Sequence, residues 1–291
     1  MHAVGVGECV PNTATPPSIC RSVQVSPHTI TGAHATTFAL TRRSITITVP
    51  ELTQLSPRVF AFSTGHANAY LWRHGRGVTL VDSGEVGRES LVLDAIRRIG
   101  RTEQDLVRIV LTHWHHDHSG GAAALAELTG AQVCAGRADA PVIRGQRTGA
   151  PAVLTPAEEP LMARIAGQVA PAPACLVHRE LDDGDILADP DIDPHAELAP
   201  GAVVLAVPGH TPGSIALHLS GERVVLTGDI AGHLKGEHIA LGPFNTDREQ
   251  ARHSLRRLAT LDVDAAGFGH GTPITRDAAV ALAGWTDPLA Q

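Results

Sequence analysis

Apolar positions along this chain recur with two rhythms, and the switches between them mark out the elements. From Arg58 onward, short apolar runs separated by glycine and polar turns predict strands over 59–62, 69–72 and 78–81. After Asp82-Ser83-Gly84 the period lengthens. Leu91, Leu93, Ala95, Ile96 and Ile99 fall at mostly helical spacing, which predicts a helix over 89–99 stopped by Gly100. A buried strand is expected over 107–111, a short Ala-rich helix over 121–128 and a strand over 132–135. Strand signals return at 203–207, 215–219 and 224–226. A helix follows over 247–258, with Gln250, Ser254 and Arg257 expected outward, then a strand near 265–268 and a helix over 276–283.

Two stretches break the alternation. Residues 1 to about 50 are rich in Thr, Ser, Pro and Val, with no helical period, and read as a flexible N-terminal extension. The remainder, 51–291, then forms one domain, because strands alternating with helices indicate an α/β layered fold. Residues 137–177 are irregular and rich in Pro, Arg and Ala. One helix is expected there, over 157–169, and the segment reads as a cap-like insertion over a site.

Composition narrows the function classes. A chain of 291 residues with 43% hydrophobic content can bury a sizeable core. The net charge of -7 and the absence of a Lys/Arg run argue against nucleic acid and anionic lipid as partners. No apolar run approaches the roughly 20 residues that span a bilayer. The N-terminus also lacks the basic start and apolar core of a signal peptide, so a cytoplasmic location is expected. Cys9, Cys20, Cys134 and Cys175 lack the paired short spacing of a zinc ribbon or redox dithiol, and Cys134 sits in an apolar stretch as a small hydrophobe.

The 17 histidines change the picture, because some of them are placed. The run Thr112-His113-Trp114-His115-His116-Asp117-His118-Ser119 follows a buried strand directly, so its ligands are expected on a loop at a strand end. In extended backbone His113 and His115 project to one side, and the following turn brings Asp117 and His118 around a neighbouring point. Imidazole and carboxylate are ligands that zinc accepts, and no cysteine lies near enough to close a structural site. His210, Asp229 and His270 each lie just after an apolar strand in a Gly-flanked turn, where an α/β fold assembles a site along one sheet edge.

With Asp82, the His113–His118 cluster, His210, Asp229 and His270 present in that order, residues from about 58 to 285 resemble the metallo-β-lactamase superfamily. The resemblance implies a four-layered αββα sandwich and a hydrolase that uses two divalent ions, zinc foremost, with iron or manganese as alternatives. His113, His115 and His210 would hold one ion, and Asp117, His118 and His270 the other. Asp229 would bridge both. Trp114 and His116 occupy variable positions and are not expected to be ligands, whereas Asp82 resembles a carboxylate that orients ligand histidines. Two such ions would share a water, lower its pKa and polarise the substrate oxygen, with Asp117 or a metal-bound water handling the proton.

The substrate is expected to be a small molecule carrying an ester, thioester, lactone or amide. Glyoxalase II is disfavoured, because only 21 residues follow His270 where that enzyme carries a long glutathione-binding region. Quorum-quenching lactonases of the family have a tyrosine where Gly232 stands, and Tyr70 reads as packing. Nuclease members insert a large domain, β-lactamases are usually exported, and flavin-linked diiron reductases have Glu where His115 stands. Two other classes stay open: a mononuclear iron persulfide dioxygenase and a noncatalytic metal-binding protein. The pocket is expected between the 137–177 insertion and a loop over 231–245. There Arg144, Arg147, His233 and Lys235 are candidates to recognise a substrate carboxylate.

Overall fold

The computed structural model describes residues 51–188, 201–234 and 238–290, so the expected extension over residues 1 to about 50 lies outside the described residues, apart from its C-terminal boundary. The chain opens with an antiparallel meander, β1 (Thr53–Ser56), β2 (Val59–Ser63), β3 (Asn68–His74) and β4 (Gly77–Val81). Helix α1 (Glu89–Arg98) then crosses over to β5 (Leu106–Leu111), which runs parallel to β4. A single helical turn, α2 (His116–Ser119), and α3 (Ala122–Thr129) lead to β6 (Gln132–Gly136). Helices α4 (Ala140–Ile143) and α5 (Glu159–Ile165) precede β7 (Arg179–Leu181). These seven strands form one sheet in chain order.

A second sheet holds β8 (Ile186–Leu187), β9 (Ala202–Ala206), β10 (Ile215–Leu219) and β11 (Val224–Leu226). A hairpin of β12 (Ala231–Leu234) and β13 (His238–Leu241) follows, then α6 (Arg248–Leu258) and β14 (Ala265–Gly267), which closes the sheet parallel to β11; α7 (Ala278–Ala283) ends the described fold.

Successive side chains of a strand point to opposite faces, and the largely apolar strands here are covered on both. Leu71, Leu80, Ile109 and Leu111 face Val92, Ile96 and Leu125 of the helices, whereas Tyr70, Val81 and Val110 face the other sheet and meet Val204, Leu217 and Leu226. On the second sheet Leu205, Ala216 and Val225 turn outward onto Leu255, Leu258 and Leu282. The layers are therefore helix, sheet, sheet, helix, the αββα sandwich expected. Full burial of one such leucine or valine contributes about 1.5–3 kcal/mol.

Departures from the expected elements have local causes. The helix over 157–169 shortens to α5, with Pro160 in its first turn and Gly167 left-handed at φ 76° just beyond it. Ser254, expected outward, is buried. Its neighbours Ala251, Leu255 and Leu258 complete a stripe at helical spacing, and its hydroxyl donates to Pro208 O at 2.6 Å. The stretch read as a loop over 231–245 carries a hairpin, with 235–237 outside the described residues. The expected cap over 137–177 carries α4 and α5. It is latched by the buried carboxylate of Glu158, which accepts from Thr155 N, Phe244 N and Arg248 Nη1.

Candidate metal centre

The seven candidate ligands and Asp82 sit just beyond strand ends on one edge of the paired sheets. Asp82 follows β4, His113 follows β5, His210 lies in the turn from β9 to β10, Asp229 follows β11 and His270 follows β14. Two ties hold the two sheets in register there. Ile215 N donates to Thr112 O at 2.9 Å, and Tyr70 Oη donates to Phe268 O at 2.6 Å. Tyr70 is thus packing, as its position suggests, and burial pushes its phenol well above its ordinary value. Asn68 adds bonds to Phe268 O and Gly271 O, fixing the turn that bears His270.

The His113–His118 run divides in two. Thr112 to Trp114 form a bend rather than the extended run expected, His115 is extended at φ -58° and ψ 149°, and His116–Ser119 winds into one helical turn, so Asp117 and His118 swing round to a second point. Two sets of side chains result: His113, His115, His210 and Asp229, and Asp117, His118 and His270. Within each set one ligand atom per residue lies within 4.8 Å of all the others. His115 Nδ1 is 3.0 Å from both His113 Nε2 and His210 Nε2. Asp229 links the sets, with Oδ2 3.5 Å from His210 Nε2 and 3.2 Å from His270 Nε2, and Oδ1 3.3 Å from His118 Nε2.

The partners of the outer ring nitrogens decide what the inner ones can do. Thr112 Oγ1 gives its only proton to Asp82 Oδ2 at 2.8 Å, so it accepts from His113 Nδ1 at 3.0 Å. Asp82 Oδ2 also accepts from His118 Nδ1 at 2.9 Å, and the carbonyl of His66 accepts from His270 Nδ1 at 2.9 Å. Each of these three rings therefore carries its proton on Nδ1 and, when neutral, turns a bare Nε2 lone pair into the cluster. Asp82 earns this position at a conformational cost: its φ of 58° is left-handed, which costs an L-residue roughly 1–2 kcal/mol.

Converging lone pairs repel unless a cation sits among them. A tetrahedral ion with bonds of about 2.0–2.1 Å sets its ligand atoms roughly 3.3 Å apart, close to the 3.0 Å that separates His115 Nδ1 from His113 Nε2 and from His210 Nε2. The donor set fits a divalent metal.

Electrostatics separate the two sets. Burial drives His113 and His210 below their ordinary range, and it brings His115 down to about 3, with His210 adding to the effect. Burial likewise opposes charge on His118, but Asp229, Asp117 and Asp82 outweigh it and raise its pKa well above normal. Asp229 lifts His270 to about 10. Burial disfavours ionisation of the two site carboxylates, yet neighbouring His118 and His270 hold both Asp229 and Asp117 below the carboxylate range.

Several supporting residues carry no motif of their own. Asp139 is buried and accepts from Trp114 N at 3.1 Å, Thr211 Oγ1 at 2.6 Å and Gly213 N at 2.8 Å, which pins the His113–His118 run to the His210 turn. Burial raises its pKa despite these bonds. Of the candidate carboxylate-binding side chains, Arg144 is spent on Glu180 at 2.6 Å and on Val177 O, and His233 Nδ1 on Thr272 O. Lys235 lies outside the described residues. Arg147 is exposed, with no side-chain bond or ion pair among the described residues.

The family model of the metallo-β-lactamase superfamily matches residues 63–270. The chain is 29% identical over 210 residues to the probable metallo-hydrolase YflN of Bacillus subtilis (strain 168), covering 67% of this chain and 76% of that protein. It is 34% identical over 171 residues to hydroxyacylglutathione hydrolase of Gloeobacter violaceus, covering 58% of this chain and 50% of that one. Beyond the Bacillus protein, the chain spans half or less of the length of other curated relatives it matches. The solved structure of metallo-β-lactamase SMB-1 with mercaptoacetic acid superposes at a TM-score of 0.55 and 26% identity, covering 76% of this chain and 79% of that one. Layer order, strand-end histidines and these likenesses agree, and the chain belongs to the metallo-β-lactamase superfamily, as a metallo-hydrolase.

Proposed function

We propose that the protein hydrolyses an ester, thioester, lactone or amide bond in a small molecule at a dinuclear site, with zinc as its metal. The observation that carries this reading is the convergence of His113 Nε2, His115 Nδ1, His210 Nε2 and Asp229 on one point, with Asp117, His118 and His270 gathered beside it. His113, His115 and His210 would hold one ion, Asp117, His118 and His270 the other, and Asp229 would touch both. Divalent ions bound there would supply an acidified water and polarise the scissile carbonyl.

The chain's own residues do the rest. Asp82 and Thr112 lock ring tautomers, so no ligand has to reorganise during turnover. Asp117 is the more open of the two site carboxylates, with 20% of its side chain exposed against 8% for Asp229. It is therefore the group placed to take a proton from the attacking water at its carboxylate oxygen and pass it to a leaving group. The relative named hydroxyacylglutathione hydrolase supports an acyl substrate.

Metal analysis by mass spectrometry, paired with a panel of esters, thioesters, lactones and lactams, tests the reading. Two zinc per chain and turnover on one class are expected. One iron with oxygen consumption on persulfides would replace this reading with a dioxygenase, and full metal without turnover on any class would leave a binding protein.

Proton release gives an independent check. Metal uptake must displace protons from His118 and His270, whose pKa values lie above neutrality, but none from His113, His115 and His210, which burial keeps neutral. Titrating metal into chelator-treated protein at about pH 7.5, in buffers of different ionisation enthalpy, is expected to release about two protons per chain from these rings, and up to about one more from the acidified water. Affinity at the Asp117–His118–His270 set is expected to climb with pH towards 10, the value at which His270 gives up its proton. Proton-neutral uptake at both sets would contradict the assignment.

A further inference from the structure

The segment that follows β4 holds both histidines of the Asp117–His118–His270 set, one of them directly and the other at one remove. Asp82 Oδ2 accepts from His118 Nδ1 at 2.9 Å. Ser83 reaches the same residue through its backbone, with Ser83 N and Oγ donating to His118 O at 2.7 and 2.8 Å. Glu85 turns its carboxylate to His66 instead, where Oε1 accepts from the backbone N at 2.9 Å and from ring Nδ1 at 2.7 Å. The carbonyl of that same His66 accepts from His270 Nδ1 at 2.9 Å.

The chain is shaped to bring these turns together. Gly65 is left-handed at φ 124°, and a Cβ there would fall 2.5 Å from Glu85 Oε1; a Cβ on Gly84 would fall 2.5 Å from Thr64 Cβ. Gly120 meets the segment from its other side, where a Cβ would lie 2.6 Å from Val86 N. The segment is therefore wedged between the turn bearing His66 and the turn bearing Asp117 and His118. The Glu85 side chain is only 12% exposed, against 49% for His66, so its two charge-assisted bonds are sheltered from competing water. The N–H and the carbonyl of His66 flank one Cα, and whatever holds the first also sets where the second meets His270.

Between them, Asp82 and Glu85 set the gap between His118 Nε2 and His270 Nε2. It is 3.4 Å, close to the roughly 3.3 Å between two ligand atoms on one tetrahedral ion. The other set takes its orientation elsewhere: Thr112 accepts from His113 Nδ1, and Asp139 holds the His210 turn. We propose that Glu85 is a positioning residue for the ion of the Asp117–His118–His270 set, fixing His270 through the His66 backbone as Asp82 fixes His118 directly. This rests on the dinuclear reading above and deepens it, because one of two ion affinities then depends on a residue that is no ligand.

Zinc titration of the chelator-treated full chain against a chromophoric chelator resolves the two binding steps, and His270→Ala, which loses one of them, assigns that step to its set. Glu85→Ala is expected to weaken the assigned step by about 10- to 100-fold, the usual cost of losing an outer hydrogen-bond partner, with the other step within about twofold. Glu85→Gln keeps an oxygen acceptor in place and is expected to stay within about threefold of the unaltered protein. Glu89→Ala is the control: Glu89 accepts from Gly87 N on the same stretch of chain, and both steps should keep their affinity without it. Unchanged affinities in Glu85→Ala, an equal loss at both steps, or a Glu85→Gln variant as weak as Glu85→Ala overturns the proposal.

Should the unaltered protein take up a single ion, the dinuclear reading fails separately, and Glu85 is judged by crystal structures of the metal-free variants. His270 Nδ1 is expected to leave His66 O in Glu85→Ala and to keep that contact in Glu85→Gln. A contact retained in Glu85→Ala overturns the proposal whatever the number of ions.

Discussion

Asp229→Ala is expected to lower kcat/KM by at least about 1,000-fold, above the 10- to 100-fold loss usual when only a supporting group around a metal ligand is removed. The Asp229 carboxylate lies against both ligand sets, 3.2–3.8 Å from ring nitrogens of His113, His118, His210 and His270. Removing it takes a ligand atom from each set at once. It also leaves His118 and His270 with less counter-charge in a buried place, so metal stoichiometry should fall with activity. His115→Ala is the companion, because His115 Nδ1 is the nitrogen that both His113 and His210 approach at 3.0 Å. Circular dichroism separates a folded, metal-poor variant from an unfolded one. Retained turnover with a full metal complement in both variants would refute the site.

The elements legible in the sequence are those whose burial writes a long, regular pattern. Strands such as β4, β5, β10 and β11 are covered on both faces and so read as mostly apolar runs, interrupted by Thr79, Arg108 and His218, and α6 declares its start through Asp247, whose carboxylate caps Gln250 N. β1, β7 and β8 gave no comparable signal. They are two to four residues long and lie at sheet edges, where pairing with a single neighbour decides the conformation more than any local preference. Ser254 misleads for a related reason: a small polar residue can sit on a buried stripe when a carbonyl, here that of Pro208, receives its proton.

The ligand cluster was legible because several metal-binding residue types crowd into short, glycine-flanked stretches that follow apolar strands. Their supports were not. Thr112 is an ordinary threonine until its hydroxyl is seen between Asp82 and His113, and Asp139 has no spacing that links it to the cluster. It reaches Trp114 and the His210 turn only through the packing of the two sheets. Long-range relations of this kind leave no trace in local pattern, and His66 acts through its carbonyl, which every residue possesses.

Gly269→Ala is expected to cost at least about 100-fold in kcat/KM without removing a ligand or a charge, on the scale of a misplacement of about 1 Å in a catalytic group. A Cβ at Gly269 would fall 1.7 Å from Asp229 Oδ1 and 2.9 Å from His118 Cε1. The backbone cannot retreat cheaply, because Gly269 N donates to Gly228 O at 2.9 Å and Gly269 O accepts from Asn68 N at 2.8 Å, fixing it between two elements. The carboxylate must therefore move, and with it its contacts to both ligand sets. Gly232→Ala is the control: its nearest neighbour would be His270 O at 3.9 Å, ordinary contact distance, so activity should stay within about twofold. Space rather than backbone conformation is what the pair compares, since neither glycine has a left-handed φ. Comparable activity in the two variants, each checked for metal content and melting temperature, would mean that the position of the Asp229 carboxylate is not what the site depends on.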